Sequence, residues 1–132
     1  MSPPPLVLAS VSPRRSALLT MLGLVHEVVP ADLVEALLPG EEPVAHVERL
    51  AREKATLVAA RRPGALVIGG DTIVVLDGEV MGKPARRQEA VAALLRLAGR
   101  EHMVLSGLAV AAPGGAVRAG VSTTRVRFRD FD

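Results

Sequence analysis

The sequence predicts a single α/β domain whose mixed central sheet is flanked by helices. Three observations favour this class: apolar strand-length segments alternate with helical ones, hairpin signals gather in the second half, and proline or glycine marks most boundaries. With 132 residues, of which 49% are hydrophobic and 23% charged, the chain can bury a core of its own. We see no repeat or linker that would divide residues 1–132 into two domains.

The first half of the chain predicts a strand, a helix, a second strand and a long helix. Four apolar residues form the first strand, Ser12 can cap the next helix with Pro13 at its first position, and Gly23 suits the end of that helix. An acidic loop or broken helix, residues 30–42, precedes Pro43, which opens the long helix. The predicted ranges are 6–9, 13–22, 24–29 and 43–61.

The second half predicts four strands and one helix. Its most apolar run is strand-like but interrupted by Gly69-Gly70-Asp71-Thr72, and Asp77-Gly78 is a strong signal for a two-residue hairpin. A helical segment stops at Gly99, and a Pro-Gly-Gly turn separates the last two strands. The predicted ranges are 66–76, 79–81, 86–97, 101–111 and 117–128.

Composition argues against several classes of function. A formal net charge of +2 is small for a protein that binds duplex nucleic acid, and two phenylalanines without tyrosine or tryptophan offer little surface for stacking bases. The absence of cysteine excludes disulfides, thiolate nucleophiles and cysteine-bound zinc. Because no apolar run has the length of a membrane span, we expect a cytoplasmic protein with no membrane or nucleic-acid partner.

The turn after the first strand predicts a phosphate-binding site. Arg14 and Arg15 lie in the first turn of a helix, where the helix dipole makes a cation unfavourable. A bound phosphate would explain them, because free N–H groups, the hydroxyls of Ser10 and Ser12 and the two guanidinium groups would all bind it. The alternative is an ordinary strand–turn–helix with two solvated arginines.

Only two of the sixteen basic side chains are lysines. Lys54 lies on the same side of its helix as the apolar positions, so its ammonium group needs an anion, unless the side chain reaches water from the edge of that face. Lys83 lies between glycine and proline in a rigid loop, where a solvated turn lysine is the alternative. The apolar positions are Val47, Leu50, Ala51, Ala55 and Val58.

Asp71 interrupts a run otherwise suited to a buried strand. A buried carboxylate is costly unless it meets a metal, a cation or several donors, so we expect a functional acid, with an exposed aspartate at a bulge as the alternative. Gly69 and Gly70 remove side chains beside it, as close approach of a ligand would require. Asp32 and Glu35 are candidate ligands of a divalent cation, with a solvated loop as the alternative.

No phosphate-binding P-loop, dinucleotide fingerprint or serine-hydrolase elbow occurs in the sequence. The remaining inventory consists of anion-binding groups, one carboxylate that we expect to be buried, and possible metal ligands. That set suits metal-assisted attack of water on a phosphate.

Five motifs resemble, in order and approximate spacing, those of the Maf-like nucleoside triphosphate pyrophosphatases. They are Ser10-x-Ser-Pro-Arg-Arg15, Leu50-Ala-Arg-Glu-Lys-Ala55, Gly69-x-Asp-Thr72, Gly82-Lys-Pro84 and His102-x-Val-x-Ser-Gly107. The resemblance extends from residue 6 to the last residues, and both lysines fall within motifs.

The resemblance implies a Maf/ITPase-like fold and hydrolysis of a nucleoside triphosphate to a monophosphate and pyrophosphate. It further implies a divalent metal, Mg or Mn, and a homodimer. By the same resemblance Asp71 is the proton acceptor and a metal ligand, Glu35 lies near the metal, and Arg14 and Thr72 match positions tied to substrate choice in the dTTP/UTP branch. The residues implied to hold phosphates are Ser10, Ser12, Arg15, Lys54 and Lys83.

The chain departs from the family pattern in two places. Val34-Glu35 stands where members often have two acids, and members continue for several tens of residues beyond the Phe-Arg-Asp-Phe-Asp with which this sequence stops. We therefore expect the C-terminal part of the fold to be missing and one side of the nucleotide cleft to be incomplete. An alternative function is a non-catalytic nucleotide-binding or regulatory module linked to arrest of cell division.

Overall fold

The computed structural model describes residues 3–82 and 86–130. Its elements follow the predicted order along the chain. They are β1 (Leu6–Ala9), α1 (Pro13–Met21), β2 (Glu27–Val28), α2 (Pro43–Arg61), β3 (Leu66–Leu76), β4 (Glu79–Met81), α3 (Arg87–Leu97), β5 (Glu101–Ala111) and β6 (Val117–Arg127).

The predicted boundaries differ from the structure at only a few places. The second strand is confined to Glu27–Val28 instead of covering 24–29, and α1 ends one residue early. The predicted interruption of the third strand, residues 66–76, is wrong, because β3 pairs with β5 without a break from Val67 to Val75. The hairpin after β3 is confirmed, since Asp77 and Gly78 both have positive φ, 52° and 78°, as a tight turn between twisted strands requires.

The strands form one mixed sheet, which confirms the predicted fold class. The order is β2-β1-β3-β5-β6, and β4 pairs with β3 outside this path. Pairing is parallel among β2, β1 and β3, and antiparallel between β3 and β5, β5 and β6, and β3 and β4. The helices connect and flank this sheet.

Helix α2 packs against one face of the sheet through its predicted apolar stripe, all five positions of which are buried. The contact is close enough to dictate glycine in two strands. A Cβ at Gly69 would lie 2.5 Å from the carbonyl oxygen of Ala51, and a Cβ at Gly107 would lie 2.5 Å from that of Val47. Burial of these apolar side chains between helix and sheet is the main stabilising contribution to the fold.

Helix α1 reaches the opposite face of the sheet. Successive strand residues point to opposite faces, and while Gly69 faces α2, a Cβ at Gly70 would lie 2.7 Å from Nε of Arg15 in α1. The two glycines therefore make room for parts of this chain. The expectation that they leave space for a ligand beside Asp71 is wrong for this reason.

One edge of β3 is left open between two partner strands. β1 pairs with β3 up to Gly69, and β4 begins to pair with it at Val74. Within residues 3–82 and 86–130, no strand occupies the edge of residues 70–73 on that side. Groups from both faces of the sheet can meet at this gap, and Asp71 and Thr72 lie in it.

Candidate active site

A cleft of about 1170 Å³ opens between α1 and the sheet face opposite α2. Its floor is formed by neighbouring residues of β3, β5 and β6. The strand register places the hydroxyls of Thr72, Ser106 and Ser122 in one row across it. The apolar part of the floor consists of Ile68, Leu108 and Val110.

Arg15 is fixed by hydroxyl groups at one end of the cleft. Its guanidinium donates to Ser10 Oγ over 3.1 Å and to Thr72 Oγ1 over 2.6 Å. Burial lowers the pKa of Arg15, and the negative charge of nearby Asp71 opposes that shift. The predicted alternative of two solvated arginines is therefore wrong for Arg15, whereas Arg14 is exposed on the cleft wall.

The two predicted serines organise the turn that carries the arginines. Ser12 is the N-cap of α1, as predicted, and its Oγ accepts from the backbone N–H of Arg15 over 3.4 Å. Ser10 is buried, and its Oγ accepts from the backbone N–H of Ser12 over 3.2 Å. Both hydroxyls line the cleft and hold Arg15 in position through contacts within the protein.

Lys54 joins two carboxylates at the gap in the edge of β3. Its Nζ lies 2.7 Å from Oε1 of Glu35 and 3.1 Å from Oδ1 of Asp71, and it also donates to the carbonyl of Gly70 over 3.5 Å. The lysine side chain is only 13% exposed. The predicted inward orientation of Lys54 and its need for an anion are both confirmed.

Asp71 is buried, with 3% of its surface exposed, so the alternative of an aspartate at a solvated bulge is wrong. Its Oδ1 is paired with Lys54, but its Oδ2 is buried and has no hydrogen-bond partner among the described residues. An unpartnered buried carboxylate oxygen is costly, and such groups in native proteins mark sites where a proton, ion or ligand binds. Asp71 is one of the residues that line the cleft.

The carboxylates offer a limited set of metal ligands. Within the described part of the chain, no group of three or more His, Cys, Asp or Glu side chains could hold a metal ion. Glu35 and Asp71 share Lys54, and Asp71 Oδ2 has no hydrogen-bond partner among the described residues. Two carboxylates fit Mg²⁺, which keeps several waters and takes its remaining ligands from substrate phosphates. Asp32, the other candidate, is exposed and does not line the cleft.

A second cavity of about 370 Å³ adjoins the gap on its other side. Glu35, Asp71 and Thr72 line it together with Met81 and Gly82. Lys83, the next residue and a predicted phosphate ligand, lies outside the described residues. His102, predicted to be structural, is buried and packs edge-on against Phe128 with ring centroids 4.9 Å apart.

Sequence reasoning missed a charged cluster behind the acidic loop. Glu41 Oε2 accepts from Nε of Arg49 over 2.7 Å, and its Oε1 accepts from Nδ1 of His46 over 3.0 Å. The Arg49 guanidinium is the main reason why the pKa of Glu41 falls to about 2. The contacts span the loop and α2, so no spacing along the chain predicts them.

No helix in the described ranges is long and apolar enough to cross a membrane.

Comparison with known proteins shows which family the chain resembles. The chain is 50% identical over 124 residues to "dTTP/UTP pyrophosphatase" of Myxococcus xanthus, a match covering 94% of this chain and 62% of that protein. It is 48% identical over 130 residues to "7-methyl-GTP pyrophosphatase" of Alkalilimnicola ehrlichii, covering 98% of this chain and 65% of that protein. The chain thus spans less than two thirds of the length of these curated relatives.

A solved structure supports the fold independently. The nucleoside-triphosphatase / dITP/XTP pyrophosphatase of Mycobacterium abscessus superposes with a TM-score of 0.56 at 19% sequence identity, covering 91% of this chain and 71% of that one. At this identity the likeness concerns the fold alone. The sequence profile of the family described as "Maf-like protein" matches residues 5–132. The protein described here therefore belongs to the Maf-like family.

Proposed function

We propose that this protein hydrolyses nucleoside triphosphates to a monophosphate and pyrophosphate, with dTTP and UTP as its substrates. The observation that carries the proposal is the buried Asp71, whose Oδ2 has no hydrogen-bond partner among the described residues, at the edge of a cleft that also holds Arg14, Arg15 and Lys54. The names of the two relatives support the same class of reaction. Because those names include three nucleotides, dTTP, UTP and 7-methyl-GTP, the choice of substrate rests on individual residues.

The triphosphate would bind at the end of the cleft where the cations gather. Arg15 is already oriented by Ser10 and Thr72, so little side-chain entropy remains to be lost when it binds a phosphate oxygen. Arg14 and Lys54 would neutralise further phosphate charge, including the charge that develops on the departing pyrophosphate. The predicted role of Lys83 would add a fourth cation.

Asp71 would act as the proton acceptor. Lys54 holds Oδ1, which fixes the orientation of the carboxylate, and Oδ2 is left to accept a proton from a water that attacks the α-phosphate. The bond between the α-phosphorus and the bridging oxygen breaks, and pyrophosphate leaves. The two oxygens of Asp71 would thus have different roles, Oδ1 as the partner of Lys54 and Oδ2 as the acceptor of the proton.

Glu35 and Asp71 would hold the divalent metal, Mg or Mn. When bound, the metal would supply positive charge to polarise the phosphate oxygens. The two carboxylates now share Lys54, which places their oxygens close enough to act together. Carboxylate oxygens are the hard ligands that such a cation prefers.

Substrate choice would depend on Arg14 and Thr72 at the polar end and on the apolar floor beyond. Thr72 begins the hydroxyl row that continues to Ser106 and Ser122, and Arg14 is exposed and also lines the cleft. The base would rest on the apolar side chains of Ile68, Leu108 and Val110. We also propose a homodimer that works in the cytoplasm, where nucleoside triphosphates are made and used.

The test is pyrophosphate release with purified protein, Mg²⁺ and a panel of dTTP, UTP, 7-methyl-GTP and the remaining common triphosphates. We expect dTTP and UTP to be hydrolysed best and Asp71→Asn to lower kcat by about 1000-fold, the range over which a general base acts. Asp77→Asn is the matched control, because Asp77 lies in the exposed hairpin turn away from the cleft. Equal rates for wild type and Asp71→Asn would remove Asp71 from its role.

A second outcome would favour the regulatory alternative. If calorimetry showed tight binding of dTTP while no pyrophosphate appeared with Mg²⁺ or Mn²⁺, the chain would be a nucleotide-binding module. If neither binding nor hydrolysis occurred, both readings would be wrong.

A further inference from the structure

The acidic loop, residues 30–42, has no helix or strand to hold its backbone. It nevertheless presents Glu35 at 2.7 Å from Nζ of Lys54. A loop without a hydrogen-bonded ladder keeps a fixed shape only where side chains tie it down. The contacts that tie this loop therefore decide whether Glu35 reaches the site.

Glu41 is the anchor of the loop. Its side chain is only 10% exposed, and its two oxygens accept from three partners: the backbone N–H of Leu38, Nδ1 of His46 and the guanidinium of Arg49. An ionised carboxylate can only accept, so His46 carries its proton on Nδ1. These charge-assisted bonds close the end of the loop onto the first turns of α2.

Glu41 and Arg49 together form a clamp between the acidic loop and α2. Arg49 extends this clamp to Ala36, the residue beside Glu35. Its Nη2 donates over 3.0 Å both to Oε1 of Glu41 and to the backbone carbonyl of Ala36. The planar guanidinium binds the carboxylate through two nitrogens, with Nε donating to Oε2 over 2.7 Å. Hydrogen bonds to Glu41 are the main cause that raises the pKa of Arg49, so its charge is secure at any working pH.

Helix α2 is the rigid frame for this arrangement. Arg49 and Lys54 lie on the same helix, whose intervening residues Leu50 and Ala51 are fully buried against the sheet that carries Asp71. Arg49 fixes the backbone at Ala36, and Lys54 receives the carboxylate one residue earlier. Two points on one rigid helix thus set the position of Glu35 relative to Asp71.

We propose that Arg49 and Glu41 are positioning residues that hold Glu35 at the active site, although neither touches the cleft. This inference rests on the proposed function and adds two residues that no motif comparison assigns. Their removal should act through Glu35. Substitution of Arg49 or Glu41 should therefore lower kcat when Glu35 is present and should have no further effect on kcat when Glu35 is already substituted.

The first experiment is a double-mutant cycle on pyrophosphate release. We expect Arg49→Met and Glu41→Gln to lower kcat by about 100-fold, as misplacement of a catalytic group by about 1 Å does, with KM for dTTP nearly unchanged. In the Glu35→Gln background the same substitutions should cost nothing more. If instead the losses multiply in that background, Arg49 and Glu41 act independently of Glu35 and the inference is wrong.

The matched control is Arg52→Met. Arg52 lies on the same helix and pairs with Glu48 over 3.2 Å, but among the described residues it makes no hydrogen bond or ion pair with the acidic loop. Its substitution should leave kcat unchanged. A loss equal to that of Arg49→Met would attribute the effect to the helix surface and overturn the inference.

A second experiment is independent of hydrolysis. The sequence has only two lysines, so NMR of the ¹⁵N-labelled lysine ammonium groups contains two signals, and Lys54→Arg identifies that of Lys54. Arg49→Met and Glu35→Gln should move the Lys54 signal in the same way, while Arg52→Met should not. A wild-type signal in Arg49→Met would disprove the clamp even if hydrolysis were confirmed. If wild type released no pyrophosphate, the proposed function would be wrong. The NMR signal of Lys54 would still test whether Arg49 holds the acidic loop in place.

Discussion

Lys54 is the residue on which the electrostatics of the site depend. It approaches Glu35 and Asp71 from α2, and 13% of its side chain remains exposed. Two carboxylates this close would repel each other without a cation between them. The lysine therefore makes the burial of Asp71 tolerable by pairing with Oδ1, whereas Oδ2 has no hydrogen-bond partner among the described residues.

Lys54→Met should destabilise the fold as well as the activity. Removing one member of a buried ion pair leaves the other charge uncompensated, so we expect the free energy of unfolding to fall by about 3 kcal/mol. Urea denaturation at neutral pH measures this change. The double variant Lys54→Met/Asp71→Asn should lose less than the sum of its parts, because the buried charge is then also gone.

Arg52→Met again provides the comparison, since Arg52 and Glu48 form an exposed pair on the same helix. Its effect on the free energy of unfolding should stay within about 0.5 kcal/mol. If Lys54→Met lowered the free energy of unfolding by no more than Arg52→Met does, the buried pair of Lys54 and Asp71 would contribute little to the stability of the protein.

At the scale of elements, β3 brings the two halves of the site together. Its residues alternate between faces, so Asp71 points toward α2 and its lysine, while Thr72 points toward α1 and Arg15. The glycines that precede them allow both helices to approach. The open edge between β1 and β4 lets groups from both faces reach one ligand.

Gly69→Ala should separate α2 from the sheet. The added Cβ would lie 2.5 Å from the carbonyl oxygen of Ala51 and 2.7 Å from the backbone nitrogen of Ala55, and neither backbone atom can move alone. We expect a loss of about 3 kcal/mol in the free energy of unfolding, at the upper end for overpacked cores. Thermal or urea unfolding measures it.

Gly120→Ala is the control in the same sheet, because nothing lies within 4 Å of a Cβ at Gly120. It should be neutral or slightly stabilising, since alanine restricts the unfolded chain. If both alanine variants were equally stable, the close packing of α2 on β3 would be refuted.

At the scale of the whole molecule, stability is unevenly distributed. Most of the buried apolar side chains belong to α2 and the central strands, whereas none of the described residues of α1 is buried. Met21 is 81% exposed and Val25, just beyond the helix, is 94% exposed. Helix α1 is attached mainly through the polar contacts of Arg15 and through a 2.8 Å hydrogen bond between Ser16 and His26.

Hydrogen exchange should reveal this difference. We expect the backbone amides of α1 to exchange about 100-fold or more faster than those in the middle of α2, because an element with no buried side chain opens at little cost. Exchange followed by mass spectrometry or NMR at neutral pH tests the expectation. Comparable protection in α1 and α2 would show that contacts of another kind hold α1.

The sequence by itself determined the order of elements, the fold class and most of the candidate site. Local signals sufficed for these: Ser12 and Pro13 open α1, the apolar stripe predicts the buried face of α2, and Asp71 stands out as the one acid in an apolar strand. The inward position of Lys54 followed from the same periodicity, which is a property of the helix alone.

Only the tertiary structure decided how these residues meet. The pairing of Lys54 with both Glu35 and Asp71, the contact of Arg15 with Thr72 and the clamp of Arg49 on the acidic loop all join residues brought together by packing. The role of the glycines beside Asp71 could not be predicted from the sequence either, because it depends on which helix packs against each face of β3. Propensity and periodicity act along the chain, whereas strand register and helix packing act across it.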